Sequence, residues 1–371
     1  MRLIEKITDV GNIEQAINKV KSNKGAPGSD NMTVEELETY FRKHGQTLVQ
    51  QICERKYQPK PVRRTYIPKP DGTKRPLGIP TVIDRVIQQA TAQQLSQLYD
   101  KQFSEKSYGF RPNRSAHQAI NQVVNYLNEG FEWVIDMDIE KYFDTVNHDK
   151  LISTLREKVN DRDTLYLIRL FLKAGVMADG LATQTEIGVP QGSPISPILS
   201  NIYLDKLDKE LETRGLHFAR YADDVCIFVK SEMAANRVMK SITNWMEKKL
   251  FLQVNLTKTK VVRPTQSQFL GFTFWKDQQG WKCKPTNASK AKLYGKIKTV
   301  LKRKQAVSRP LAETFTKVNQ IVRGWINYYR IGSMKTFIEK FGQWIRHKIR
   351  VIIIKQWKVP KRISKNLQKL N

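Results

Sequence analysis

Two short apolar segments, Phe218-Ala219-Arg220 and Val225-Cys226-Ile227-Phe228-Val229, are separated by Tyr221-Ala222-Asp223-Asp224. Strand-forming residues on either side of a four-residue bend predict an antiparallel hairpin whose arms belong to a core. The bend then carries two neighbouring carboxylates, each of which disfavours ionisation of the other. Asp-Asp in a turn is usually turn chemistry alone, so a functional reading needs more acid nearby. The run Phe131 to Asp138 supplies it: it reads as a strand whose alternation puts Val134, Asp136 and Asp138 on one face and Trp133, Ile135 and Met137 on the other. Asp138, Asp223 and Asp224 together would hold two divalent cations about 3.5–4 Å apart, the arrangement of a phosphoryl-transfer clamp. The donors are hard oxygens without clustered His or Cys, which favours Mg2+ over zinc. Asp136 and Asp144 are rival carboxylates that spacing leaves open.

The elements around this hairpin are interleaved rather than repeated. Short helices are expected in the first sixty residues, around the loop Asn23 to Asp30, with a helix opening at Thr33 in capping-box spacing with Glu36. Arg64-Thr65-Tyr66-Ile67 and Arg75-Pro76-Leu77 flank the turn Pro70-Asp71-Gly72-Thr73, so Lys69 and Arg75 fall on opposite arms of a hairpin. Helices are expected from Thr81, after Asn147, from Pro194 to Arg214 and from Met233 to Leu250, with a strand at Phe269 to Phe274. Such mixing favours an α+β domain with an antiparallel sheet.

Charge divides the chain. Its 371 residues carry a formal net charge of +29. From Lys282 to Asn371 there are 24 Lys and Arg against two acidic residues, a net +22, as expected of a module that neutralises phosphates. Apolar residues at near-helical spacing, Phe315 to Tyr329 and Phe337 to Ile349, argue for folded basic helices there, thinning after Trp357 into a tail whose last dozen residues are expected to be flexible. Cys53, Cys226 and Cys283 stand far apart, and the first residues, Met1 to Lys6, are charged where a secretory leader is apolar. Neither a disulfide framework, secretion nor a membrane span is expected, and a reducing cytoplasm fits.

The motifs in order carry a resemblance. Asp138-Ile139-Glu140-Lys141-Tyr142-Phe143-Asp144, Gly188-Val189-Pro190-Gln191-Gly192-Ser193-Pro194 and Tyr221-Ala222-Asp223-Asp224 resemble the ordered motif set of a reverse transcriptase. Ile67-Pro68-Lys69-Pro70-Asp71-Gly72, Leu77 to Thr81, Ser107-Tyr108-Gly109-Phe110-Arg111-Pro112-Asn113-Arg114-Ser115, Phe269-Leu270-Gly271-Phe272 and Arg323-Gly324-Trp325-Ile326-Asn327-Tyr328-Tyr329 are similar to bacterial group II intron-encoded reverse transcriptase/maturases, over nearly the whole chain.

That resemblance implies an α+β right-hand polymerase, with fingers and palm built on an antiparallel sheet, followed by an all-α basic thumb. The expected divisions are an N-terminal extension with a template lid loop at 1–60, fingers and palm at 61–280, a helical thumb or maturase domain at 281–357 and a basic tail at 358–371. It assigns the metals, two Mg2+ with Mn2+ as a substitute, to Asp138 and Asp223, with Asp224 as acidic partner and the Ile139 carbonyl as a further ligand. Lys69, Arg75, Phe143 and Gln191 are expected at the deoxynucleoside triphosphate, Phe143 as the ring that excludes a 2′-hydroxyl. Asn23, Lys24, Gly25, Gly192, Ser193 and Lys258 are expected near template or primer, and Arg111 and Arg114 either there or at a helix cap. Ser193 stands where relatives often have a second Gly. Expected partners are an RNA template, a DNA or RNA primer, deoxynucleotides and a structured group II intron RNA held as a ribonucleoprotein, with no membrane. None of the five His pairs with a second His or Cys at ligand spacing, so no endonuclease is expected. The alternatives are a splicing cofactor with an idle polymerase site, a domesticated or defence-associated reverse transcriptase, and an RNA-dependent RNA polymerase, the last disfavoured by Phe143.

Overall fold

A computed structural model describes residues 1–68, 72–178, 181–183 and 187–369. The chain forms two compact units, one of residues 1–119 and 135–261, the other of residues 120–134 and 262–371.

The first unit opens with helices Leu3–Ile7, Val10–Ser22 and Leu37–Cys53. Asp9 caps the second by accepting from the Asn12 amide. Glu36 does bond back to the amide and hydroxyl of Thr33, but the helix begins only at Leu37. Ile13, Ala16, Ile17 and Val20 recur on one face and pack on Val82, Val86 and Ala90 of the long helix Val82–Tyr99. Thr81 caps that helix, accepting from the Asp84 amide.

Strands Val62–Pro68 and Lys74–Ile79 pair antiparallel, with Arg75 opposite Ile67. Val62–Pro68 also pairs in parallel with Val176–Ala178, which turns back into Leu181–Thr183. The expected antiparallel sheet is therefore mixed here, because a crossover of more than a hundred residues returns the chain beside its first strand. The second sheet runs His217–Tyr221, Asp224–Val229, Trp133–Met137, Lys260–Val262 in spatial order. Beside it lies helix Ser196–Thr213, which buries Leu199, Tyr203, Leu204, Leu207 and Leu211 completely. Its buried residues include Asn201 and Asp208 as well as these apolar ones, so most of its circumference lies inside the unit.

The second unit begins with a three-stranded sheet, Gly280–Pro285, Phe272–Asp277 and Gln268–Phe269. The single strand expected at Phe269 to Phe274 is instead two strands, because Leu270 and Gly271 both take positive φ, 51° and 80°, and reverse the chain. Helices Asn287–Val300, Leu311–Tyr329 and Lys335–Trp357 then pack on Leu293, Ile297, Val318 and Phe341. Tyr294 meets Phe341 and Trp344 edge-on at centroid distances of 5.2 and 4.7 Å. Residues 262–285, which form this sheet, bond to the 120–134 segment of the same unit, and the elements from Asn287 to Gln368 are all helices. The Trp281 amide donates to Asn128 Oδ1 at 2.8 Å, and Arg263 pairs with Glu132 and lies over the Trp133 ring. The tail expected to be flexible contains helix Pro360–Gln368, started by a Pro at a position where no amide is needed. Among the described residues no helix is long and apolar enough to cross a membrane.

Candidate active site

The hairpin His217–Tyr221/Asp224–Val229 closes with Tyr221 opposite Asp224. Ala222 and Asp223 make the bend, and Ala222 accepts a φ of +59°. The apolar arms are buried, so the bend emerges at the sheet end with its carboxylates outward. Asp138 follows directly on strand Trp133–Met137, and its main chain is fixed on both sides. Its amide donates to Thr259 Oγ1 at 3.1 Å, and its carbonyl accepts from the Asn255 amide at 2.8 Å. The Glu140 amide donates to the Gln253 carbonyl, so the bridge at Ile139 and Val254 leaves the Ile139 carbonyl out of this pairing.

The carboxylates sense one another. Desolvation first, then the charges of Asp223, Asp138 and Asp136, push the Asp224 carboxyl up to about 6. Lys258 answers some of the charge, its Nζ 3.7 Å from Asp138 Oδ2. Asp136 accepts from the Cys226 thiol at 3.4 Å. Asp144 lines a different feature, described next. Among the described residues no three His, Cys, Asp or Glu side chains stand close enough to hold a metal by themselves. The carboxylates at these neighbouring strand ends are hard oxygen donors, which fit a divalent cation that takes its other ligands from phosphate and water.

A cleft of roughly 370 Å3 is lined by Arg64, Gly78, Phe143, Asp144, Gly188 and Gln191, among others. Phe143 is half-buried and packs edge-on against Tyr142 at 5.1 Å. Its carbonyl accepts from the Val189 amide at 2.6 Å, and buried His148 contacts the Gly188 carbonyl at 2.6 Å, so the Phe143 and Gln191 segments are knitted together. Gln191 joins the first hairpin twice: its side-chain oxygen accepts from Arg75 Nε at 2.7 Å and its carbonyl from the Gly78 amide at 2.8 Å. Gly192 is exposed, with a φ of +103° and a place for Cβ only 2.9 Å from the Gly78 carbonyl oxygen, so glycine is required. Lys69 lies outside the described residues.

Two expected template contacts are corrected. Arg111 is buried, and its guanidinium is bonded to Asp100 at 2.8 Å and to the carbonyls of Ser104, Ser107 and Asp100; it braces a loop rather than facing nucleic acid. Ser193 is also buried, its hydroxyl 2.6 Å from that of Ser196 at the start of a helix. Arg114 pairs with Glu105 and lies 5.9 Å from the Tyr108 ring centroid. Asn23 and Lys24 are exposed, and a Cβ at Gly25 would strike the Arg85 guanidinium. Arg85 donates to the Ala26 carbonyl at 2.5 Å, and Gly28 lies where a Cβ would strike the Thr81 backbone. That fastening of the loop was not foreseen, since Arg85 reads in sequence as one more polar helix residue.

Residues 67–274 match the model of the family described as "Reverse transcriptase (RNA-dependent DNA polymerase)", and residues 290–370 match "Group II intron, maturase-specific domain". The chain belongs to the group II intron-type reverse transcriptases. This reverse transcriptase is 34% identical to Protein YkfC of Escherichia coli (strain K12) over 70% of its own length and 79% of that protein. It is 31% identical to the Putative COX1/OXI3 intron 2 protein of Saccharomyces cerevisiae over 73% of its length and 38% of that protein. Group II intron-encoded protein LtrA of Lactococcus lactis subsp. cremoris matches at 36% identity, over 55% of this chain and 34% of the relative. The chain thus spans well under half of these last two proteins. As a member of the family it is an RNA-directed DNA polymerase that binds RNA and uses a divalent metal ion.

Proposed function

We propose that Asp138, Asp223 and Asp224 are the acids of a two-Mg2+ nucleotidyl transfer, with the Ile139 carbonyl as an additional oxygen and Mn2+ as an acceptable substitute. The single observation that carries this reading is the convergence of Asp138, which directly follows strand Trp133–Met137, and the Asp223-Asp224 bend of the neighbouring strand in the same sheet, three hard oxygen donors that a divalent cation would bridge. When bound, the cations supply charge neutralisation at the phosphates and ease ionisation of the attacking hydroxyl.

The chain's own groups do the positioning. Arg75 spends Nε on Gln191, which leaves its two terminal nitrogens for triphosphate oxygens as charge moves to the leaving pyrophosphate. Lys69 is the second cation on the resemblance alone. Phe143 closes the floor beneath the sugar, and exposed Gly192 brings bare backbone to the nascent pair. The reaction so arranged is attack of the primer 3′-hydroxyl on the α-phosphate of a templated deoxynucleoside triphosphate. Lys258, Asn23, Lys24, Gly25 and Arg114 stand as template or primer contacts.

The second unit suits a further role in binding and splicing a structured intron RNA, in the cytoplasm and as a ribonucleoprotein. The match to a maturase-specific domain and the net +22 of its last ninety residues support that role. The same features support the second reading, a splicing cofactor with an idle polymerase site. Oligo(dT)-primed incorporation of dTTP on poly(rA) separates the two. Incorporation that requires Mg2+ and is lost in Asp223→Ala is the expected result. A wild-type protein that binds structured RNA yet never extends the primer would leave only the splicing role.

A further inference from the structure

Behind the Asp223-Asp224 bend lies a buried polar network that no reaction step uses. Arg220 and Asp208 are both fully buried and form a bidentate pair, Nε to Oδ1 at 2.7 Å and Nη2 to Oδ2 at 2.5 Å. The remaining terminal nitrogen of Arg220 donates twice, to Asn201 Oδ1 at 3.0 Å and to the carbonyl of Ala222 at 2.9 Å. Asn201, completely buried on the same helix as Asp208, turns its amide nitrogen to the Gly109 carbonyl at 2.8 Å. The backbone completes the frame, since the Tyr108 amide donates to the Arg220 carbonyl and the Arg220 amide to the Lys106 carbonyl, each at 2.9 Å. Gly109 is so close that a Cβ there would fall on the Ala222 amide nitrogen.

We propose that Arg220, clamped by Asp208 and Asn201, is a positioning residue that fixes where Asp223 and Asp224 stand, and that polymerase turnover and metal requirement depend on this clamp. The inference rests on the reading of those aspartates as the metal carboxylates. A buried ion pair is a poor device for stability alone, because well-packed apolar residues of similar volume serve equally well. What an apolar pair cannot reproduce is the grip on the Ala222 carbonyl. Ala222 is the residue in the left-handed region, φ +59°, immediately before Asp223, so its peptide sets the direction in which the next carboxylate leaves the sheet. Helix Ser196–Thr213 holds that peptide from one side and the Lys106 to Gly109 loop from the other. Two neighbouring, mutually repelling carboxylates need such a frame, since displacements near 1 Å at a reacting centre cost on the order of a hundredfold in rate.

Two variants of the full chain test this on the poly(rA) and oligo(dT) assay. Asn201→Ala keeps the ion pair but cuts both ties of the asparagine. The double variant Asp208→Leu with Arg220→Met exchanges the pair for apolar side chains. Melting temperature and RNA binding report the fold, while kcat, the KM for dTTP and the Mg2+ concentration for half-maximal rate report the site. The expected result for Asn201→Ala is kcat lower by about tenfold, a dTTP KM within about twofold of wild type and a Mg2+ midpoint several-fold higher, with RNA binding unchanged. A folded double variant should lose more. Wild-type kcat and Mg2+ midpoint in Asn201→Ala overturn the proposal, as does a loss of kcat that simply tracks a lower melting temperature. If the double variant fails to fold, Asn201→Ala decides alone. Asp223→Ala runs beside them: activity there overturns the carboxylate reading itself, whereas a dead Asp223→Ala with a wild-type Asn201→Ala removes only the clamp.

Discussion

Phe143 stands half-buried against Tyr142, at the edge of the cleft that also receives Arg64 and Gln191. Its ring meets Tyr142 edge-on and its carbonyl accepts from the Val189 amide, a placement that suits the proposed wall beneath the sugar. Phe143→Ala should therefore open space for a 2′-hydroxyl. The ratio of kcat/KM for dTTP to that for UTP on poly(rA) should fall by at least about tenfold, and an unchanged ratio would return Phe143 to plain core packing. At this scale the acids were readable because Asp-Asp between apolar strands is locally odd. The Arg220 clamp was not, because its partners lie 12 and 19 residues away and become neighbours only through helix Ser196–Thr213. Arg111 misled for the related reason that a surface cation and a buried brace look the same in one dimension.

Among the elements, helix Leu311–Tyr329 is fastened to the three-stranded sheet by its last turn. Tyr329 is buried, its hydroxyl donates to Ser289 Oγ at 2.8 Å, and its ring packs at a tilt against Phe272 and Trp325 at centroid distances of 4.9 and 4.6 Å. Tyr328 bonds the Leu270 carbonyl at 3.0 Å. These contacts make the aromatic run of that helix mainly a packing device. Tyr329→Ala should cost about 3–5 kcal/mol, whereas Tyr329→Phe should cost about 1 kcal/mol, because Ser289 keeps Thr286 and Gly271 as partners. Melting temperatures followed by tryptophan fluorescence should fall in that order, and equal falls would mean that the ring contributes little. Helix positions were legible from period and caps, as at Thr81 and Asn147. Strand breaks were not: Leu270-Gly271 sits in an apolar run, and only the partner strand reveals that the chain reverses there.

For the whole molecule, the decisive quantity is the separation of charge from chemistry. The acids lie in one unit, while the large excess of Lys and Arg lies in the other. Arg346 and Arg350 are exposed one helical turn apart on Lys335–Trp357. Replacing both with Gln should weaken RNA binding and reduce the slope of log Kobs against log salt concentration by up to about 2, roughly one for each phosphate no longer neutralised. A slope identical to wild type would assign RNA binding to other cations.

The second unit takes residues 120–134 from the middle of the polymerase sequence as well as everything from 262 onward. A cut near 262 would leave the basic helices and their sheet without the segment that supplies Asn128, Glu132 and Trp133, so a clone of residues 262–371 alone would carry an incomplete unit despite the continuity of its sequence.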